Sequence, residues 1–192
     1  RDFVSRTIAF YNDELYQIKA DGALAKIDVP NSAQKNIHNQ YLMLELRDPW
    51  TVAGKTYQAG ALIVADYDAF MQGKREFRVL FEPTANTSLA GYSWTKNFLL
   101  LNVLEDVKNR IRVLDPAKNW QATALAGAPA FGTLSVWAVD DEQSDAYFLN
   151  VTDYLTPTAL MMGQVGSQPE RLKQLPGFFD ASQHEISQQF AV

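Results

Sequence analysis

Apolar and polar positions alternate along this chain in short runs, and four of the runs end alike. They are Gln17-Ile-Lys-Ala-Asp21, Leu62-Ile-Val-Ala-Asp66, Ile111-Arg-Val-Leu-Asp115 and Leu160-Met-Met-Gly-Gln164. Their last residues lie 45, 49 and 49 positions apart (66−21, 115−66, 164−115). That is close to the roughly 40–50 residues of one four-stranded propeller blade. A second strand type recurs in step: Gln40-Tyr-Leu-Met-Leu-Glu-Leu46, Asn97-Phe-Leu-Leu-Leu-Asn-Val103 and Asp145-Ala-Tyr-Phe-Leu-Asn-Val151.

The runs between these markers predict four groups of strands. Phe3 to Phe10, Glu14 to Ala20 and Leu24 to Val29 form an antiparallel meander, because Asn12-Asp13 and Asp21-Gly22 are tight-turn dipeptides. Pro30 to Asn36 reads as a polar linker. In the second group, Tyr41 to Leu46 is apolar throughout, as a strand buried on both faces would be. An insertion over Arg47 to Gly60, punctuated by Pro49, Gly54 and Gly60, precedes the strands Ala61 to Tyr67 and Glu76 to Glu82. Between those two, Asp66-Tyr-Asp68 and Gly73 bracket one capped helical turn.

The third group is the clearest, with strands at Ser88 to Thr95, Phe98 to Leu104, Asn109 to Leu114 and Trp120 to Leu125. The fourth repeats it with Leu134 to Val139, Ala146 to Val151, Thr158 to Gly163 and Gln168 to Leu175. The expected fold is all-β, a partial β-propeller of about four four-stranded antiparallel blades at approximately 1–36, 37–83, 84–127 and 128–183. A non-repeating β-sandwich or barrel shares the strand spacing but leaves the constant steps unexplained.

Composition narrows the classes of function. The 192 residues are 47% hydrophobic and 20% charged, enough for a folded core. A net charge of −5 offers no basic footprint for a phosphate backbone, so no nucleic-acid partner is expected. No run approaches the ~20 apolar residues of a membrane span; the longest, Phe98-Leu-Leu-Leu101, ends at Asn102, and a soluble chain without a membrane partner is expected. Zero cysteines remove disulfides and thiolate chemistry and leave cytoplasmic and periplasmic locations both open. The chain starts at Arg1 without an initiator methionine or leader, as a processed form or an excised piece of a longer protein would, and the excised piece is the reading favoured.

No catalytic, cofactor-binding or metal-ligating residue is assigned. Gly91-Tyr-Ser-Trp-Thr95 begins like a nucleophile elbow, but Thr95 replaces the second glycine and Ser93 sits in a strand pattern. The acidic cluster Asp140-Asp141-Glu142 with Asp145 lacks calcium-loop spacing and reads as a solvated hairpin tip, as does Glu105-Asp106. His38, read as lying in the linker, and His184, read as opening a strand, have no partner at metal-ligand spacing. Asn86-Thr-Ser88 and Asn150-Val-Thr152 match the glycosylation pattern by chance frequency. Trp50, Trp94, Trp120, Trp137, Tyr92 and Tyr147 are assigned to inter-sheet packing ahead of a ligand groove.

Three segments carry a family resemblance. Asn97 to Asp115, with Glu105-Asp-Val-Lys-Asn109 at its turn, resembles a strand-turn-strand of the prolyl oligopeptidase family of serine peptidases. Ala128-Pro-Ala-Phe-Gly132 is similar to that family's turn into its next inner strand, and Asp145 to Pro157 resembles the following strand and its proline-containing turn. The resemblance is good over the C-terminal half and looser from Arg1 to Pro83.

It implies a propeller that normally sits over an α/β-hydrolase domain, with His184 to Val192 as the exit strand leading into that domain. About four blades stand where the family has seven, and none of its catalytic serine, aspartate and histidine residues can be placed on this chain. The implied role is non-catalytic, gating short peptides into a peptidase domain of the same parent chain that is absent here. The implied parent cleaves short peptides after proline, and this chain alone is expected to be inactive. The alternative is a stand-alone propeller module that binds a protein or peptide. Open blade edges further lead to the expectation of a homodimer or larger assembly.

Overall fold

The computed structural model describes residues 1–190, which form two compact units divided between Ala85 and Asn86. The first unit opens with a three-stranded antiparallel sheet, β1 (Asp2–Ala9), β2 (Asn12–Ile18) and β3 (Leu24–Lys26), in the order β1-β2-β3. Phe3 on β1 and Leu15 on β2 pack from one face of this sheet onto a core built from Leu42, Leu44, Ile63 and Tyr67. The second sheet has the order β4-β5-β8-β9, from β4 (Gln34–His38), β5 (Tyr41–Glu45), β8 (Leu62–Asp66) and β9 (Arg78–Phe81). Met43 and Val64 are buried as well as Leu42, Leu44 and Ile63, so β5 and β8 are covered on both faces, as their unbroken apolar runs require.

Within the insertion, β6 (Trp50–Val52) and β7 (Lys55–Tyr57) make a separate two-stranded hairpin whose turn places Ala53 and Gly54 at positive φ. Trp50 and Tyr57 meet Phe77 edge-to-face, and this fixes the hairpin to the unit's core. The short helix α1 (Tyr67–Met71) is capped by Asp66, whose Oδ1 accepts from Ala69 N at 2.8 Å. Gly73 at φ 98° ends that turn.

The second unit holds two four-stranded meanders. One is β10 (Thr87–Trp94), β11 (Leu99–Glu105), β12 (Lys108–Asp115) and β13 (Gln121–Ala124), in that order. The other is β14 (Thr133–Ala138), β15 (Ala146–Thr152), β16 (Ala159–Gln164) and β17 (Glu170–Gln174), also in sequence order. Leu100, Ile111 and Val113 of the former pack against Leu134, Tyr147 and Leu149 of the latter in one core. In both sheets the last strand, β13 or β17, is exposed at every residue and forms the outer edge.

The repeated strand ends now have a structural meaning. Asp66 ends β8 and Asp115 ends β12, and each is the third strand of its sheet. Each carboxylate caps the turn that follows, Asp115 Oδ1 accepting from Ala117 N at 3.0 Å as Asp66 does from Ala69. Asp21 does the same after β2, accepting from Ala23 N at 3.0 Å. By this marker β1, β2 and β3 occupy the second, third and fourth positions of the repeat.

Three expectations are corrected. The third run of the first group is a strand only over Leu24–Lys26 and not on to Val29; beyond Lys26 the chain folds inward through buried Ile27 and Val29, with Val29 N donating to Ile27 O. The polar linker is shorter than expected, because β4 begins at Gln34, and His38 ends that strand as a buried residue with Asn39 Nδ2 at 3.1 Å. Among the described residues 184–190 no strand forms, since no sheet edge pairs with them, and His184 follows a turn instead of opening a strand. The last two residues of that expected exit strand, 191 and 192, lie outside the described residues.

Candidate interaction surface

Several of the polar residues that sequence alone could offer for chemistry are engaged in holding strands or turns together. Ser93 lies in β10, and its Oγ accepts from Ala138 N of β14 at 3.0 Å, a side-chain to main-chain tie between the two sheets.

The acidic cluster separates into two turn devices. Asp140 Oδ1 accepts from Glu142 N at 2.9 Å and Gln143 N at 2.8 Å, an Asx-type turn. Asp145 spends both oxygens on the β10–β11 turn, accepting from Thr95 Oγ1 at 2.9 Å, Asn97 N at 2.8 Å and Asn97 Nδ2 at 2.8 Å. Among the described residues no cluster of three histidine, cysteine or acidic side chains is placed to hold a metal ion. His184 is exposed and meets Phe179 edge-to-face.

The aromatic residues split between core and surface. Trp94 and Tyr147 are buried, Trp94 meeting Trp120 edge-to-face at 5.8 Å, whereas Trp137 is exposed beside Phe148. Asn86 precedes β10 and Asn150 lies inside β15.

A cleft of about 400 Å³ in the second unit surrounds the β11–β12 turn. Asp106 and Val107 form that turn, both at positive φ, 45° and 67°. A β-branched residue in this region is strained, and here the strain is held by neighbours. Asp106 N donates to Asn86 O at 3.0 Å, and Gln188 Nε2 donates to Asp106 O at 2.7 Å. Lys108 lies over the Phe131 ring at 4.4 Å on the cleft's flank. Gln188 Oε1 is buried and has no partner among the described residues. Val107 and Tyr154 stand at the rim, 84% and 88% exposed. The surface thus combines a tight turn, exposed apolar groups and one buried acceptor.

Sequence reasoning picked out the Glu105 to Asn109 turn but not its tie to Gln188, because the two are 82 residues apart and neither follows a periodic pattern. It also missed a buried pair, Asn102 and Asn109, that joins the two sheets of this unit through Leu134. Its only sequence signal is polar residues standing inside two apolar strands.

Comparison with known proteins places the fold. No family model matches the chain. An uncharacterized peptidase of Sinorhizobium fredii is 31% identical over 196 residues, covering 99% of this chain and 26% of that protein. The structure of a post-proline cleaving enzyme from Rickettsia typhi superposes on 97% of this chain with a TM-score of 0.79 at 20% identity, using 28% of its own length. Oligopeptidase B from Leishmania major superposes on 94% of the chain with a TM-score of 0.62 at 13% identity, using 27% of its length. The chain spans about a quarter of the length of the relatives it matches. With its nearly all-β build and repeated four-stranded sheets, it has the fold of the β-propeller portion of prolyl oligopeptidase structures.

Proposed function

We propose that this chain is the non-catalytic propeller segment of a prolyl oligopeptidase-like serine peptidase, and that it gates short peptides into a peptidase domain carried elsewhere on the parent polypeptide. The observation that supports it most is the superposition of 97% of the chain on a post-proline cleaving enzyme at a TM-score of 0.79. The cleft at Val107, Tyr154 and Gln188 is the surface of the second unit best suited to receive the peptidase domain, with exposed apolar groups around a buried acceptor.

In the parent, the propeller would act by size, admitting extended short peptides and excluding folded proteins. The test compares the intact parent with a form from which these residues are deleted, on a short proline-containing chromogenic peptide and on a folded protein. Gating requires that the deletion raise cleavage of the folded protein relative to the short peptide. An unchanged ratio would refute gating. The isolated chain should show no cleavage, with or without Ser93→Ala.

The second reading is a stand-alone module that binds a protein or peptide, favoured by the exposed face on which register places Val4, Ile18 and Leu24. The parent gene beyond Val192 separates the two: a following Gly-x-Ser-x-Gly with later aspartate and histidine supports the peptidase, and a stop codon the module. The same apolar face supports self-association of the isolated chain, read by sedimentation across a concentration series.

A further inference from the structure

Strand β13 is too short to cover β12. Their pairing runs from Asp115 opposite Gln121 to Arg112 opposite Ala124, and one further bond, Leu125 N to Ile111 O at 3.0 Å, ends it. Lys108, Asn109 and Arg110 belong to β12 but have no strand beside them on that edge. Main-chain direction alternates along a strand, so Asn109, two residues before Ile111, turns its N–H and C=O to the same side. The Asn109 side chain is committed to Asn102 and Leu134, and among the described residues nothing bonds its main chain.

The chain does not close this edge itself. After Leu125 it leaves the sheet and passes β12 at a distance through Ala128, Pro129 and Ala130, where Arg110 Nη1 reaches across to Ala130 O at 2.6 Å. Pro129 has no N–H to offer the edge. Between strand and connection lies a groove of about 520 Å³, within the size range of ligand sites. Buried Ile111, Leu125 and Leu134 line it. Arg112 and Glu105 line it too, and neither has an ionic partner among the described residues. Glu105 stands opposite Lys108 at the turn, which leaves Arg110 and Arg112 as the excess positive charge of that face.

We propose that this groove binds a short, extended, acidic peptide segment, added as a strand at Asn109. One peptide residue exchanges two main-chain hydrogen bonds with Asn109 and lays a small apolar side chain over Ile111 and Leu125. Its sequence neighbour points to the other face and gives a carboxylate to Arg112 and to the unused N–H groups of Arg110. The bare donor and acceptor of Asn109 select main chain, the narrow alanine-lined wall selects small side chains, and the unpaired guanidinium selects a carboxylate. The site is internal to the second unit, and the inference holds whether or not the parent is a peptidase.

The test titrates an acetylated, amidated peptide, Ala-Glu-Val-Glu-Ala, into the isotope-labelled 192-residue chain and follows its amide resonances. The Asn109 amide should shift with occupancy, Ile111 and Leu125 should move with it, and the first unit should stay still. Arg112→Ala should weaken binding about fivefold at an unchanged melting temperature, and methylating the nitrogen of the central valine about tenfold. The peptide with lysine in place of both glutamates should not bind. Equal binding of the methylated peptide would make the attraction purely ionic and overturn the proposal, as would undiminished binding to Arg112→Ala. A still Asn109 amide at millimolar peptide would overturn it as well. So would an Asn109 shift that appears without peptide as the chain is concentrated, which would make a second copy the occupant.

Discussion

Asn109 donates its amide to Asn102 Oδ1 at 2.8 Å, and the two side chains together hold both main-chain groups of Leu134. Asn102 Nδ2 donates to Leu134 O at 2.8 Å, and Asn109 Oδ1 accepts from Leu134 N at 3.1 Å. In register, Asn102 faces Ile111, so Asn109 is its diagonal neighbour on the same face of the sheet. Leu134 lies in β14, a strand paired only with β15, so its other edge would leave N–H and C=O groups bare. Ser93 does the same service four residues on, at Ala138. The contact between these sheets is therefore polar as well as apolar: side chains of one sheet complete the edge of the next.

Removing one asparagine should cost more than half of what removing both costs. Asn102→Ala strands Asn109 Nδ2 and Leu134 O in a buried site and should lower stability by about 2–3 kcal/mol. The double variant with Asn109→Ala leaves only the Leu134 groups bare, so its loss should fall short of the summed single losses by about 1 kcal/mol. Urea denaturation of the four proteins measures the coupling, and additive losses would show that the two side chains act separately.

Tyr147 offers a substitution that should not destabilise. Its ring is fully buried and its hydroxyl has no partner among the described residues, so Tyr147→Phe should be neutral or stabilising by up to about 1 kcal/mol. Gly163, directly opposite, has no room for a side chain: a Cβ there would lie 2.5 Å from Tyr147 Oη and 2.6 Å from Cζ. Gly163→Ala should cost about 1–3 kcal/mol, and Tyr147→Phe should relieve only part of it because the Cζ contact remains.

The same tyrosine has a pH consequence. Burial raises its pKa, so the folded chain holds this proton at a pH where the unfolded chain has lost it. Its effect is absent below the unfolded value of about 10 and destabilises the fold as pH rises above it. Thermal melts should therefore fall less steeply above pH 10 in Tyr147→Phe than in the parent sequence, and parallel curves would refute the assignment.

The strands were legible because each sheet buries residues in a simple alternation or a continuous run, and both patterns survive in one dimension. The repeated aspartates were legible as strand ends; that they are caps required the contacts with Ala23, Ala69 and Ala117. Asp21 also held information that counting strands overlooked, since it closes the second strand of its group while Asp66 and Asp115 close the third. Asn102 looked like an interruption of an apolar run because its partner, Leu134 O, is 32 residues away. The tie of Gln188 to Asp106 was hidden for the same reason: a single long-range hydrogen bond leaves no period.

Lys35 should behave as a structural cation. Its side chain is 2% exposed, and Nζ lies within 3.1 Å of four oxygens: Asp13 O and Oδ1, Asn31 O and Ala33 O. This ties the start of β2 to the connection before β4. Lys35→Met keeps the apolar stem and removes the donors. Because the Asp13 carboxylate is partly exposed and water can take up its charge, the loss should be about 2 kcal/mol, below the 3–5 kcal/mol of a fully buried pair. Hydrogen exchange should show the loss at Asp13, whose N–H is bonded to Asn31 O, before any change in the second unit.

Asp145 decides between a cation site and a turn clamp. Its oxygens accept from Thr95 Oγ1, Asn97 N and Asn97 Nδ2, so three of about four acceptor sites are taken and a cation would compete with those donors for the carboxylate. Calcium at millimolar concentration should leave the melting temperature unchanged, and chelator should do the same. Asp145→Ala frees all three donors and should cost about 2–3 kcal/mol, since hydrogen bonds to a charged acceptor exceed neutral ones. Asp145→Asn keeps one acceptor but turns an N–H toward donors, so it should recover less than half of that loss. A calcium-dependent rise in melting temperature that disappears in Asp145→Asn would overturn the clamp and make the acidic loop a cation site after all.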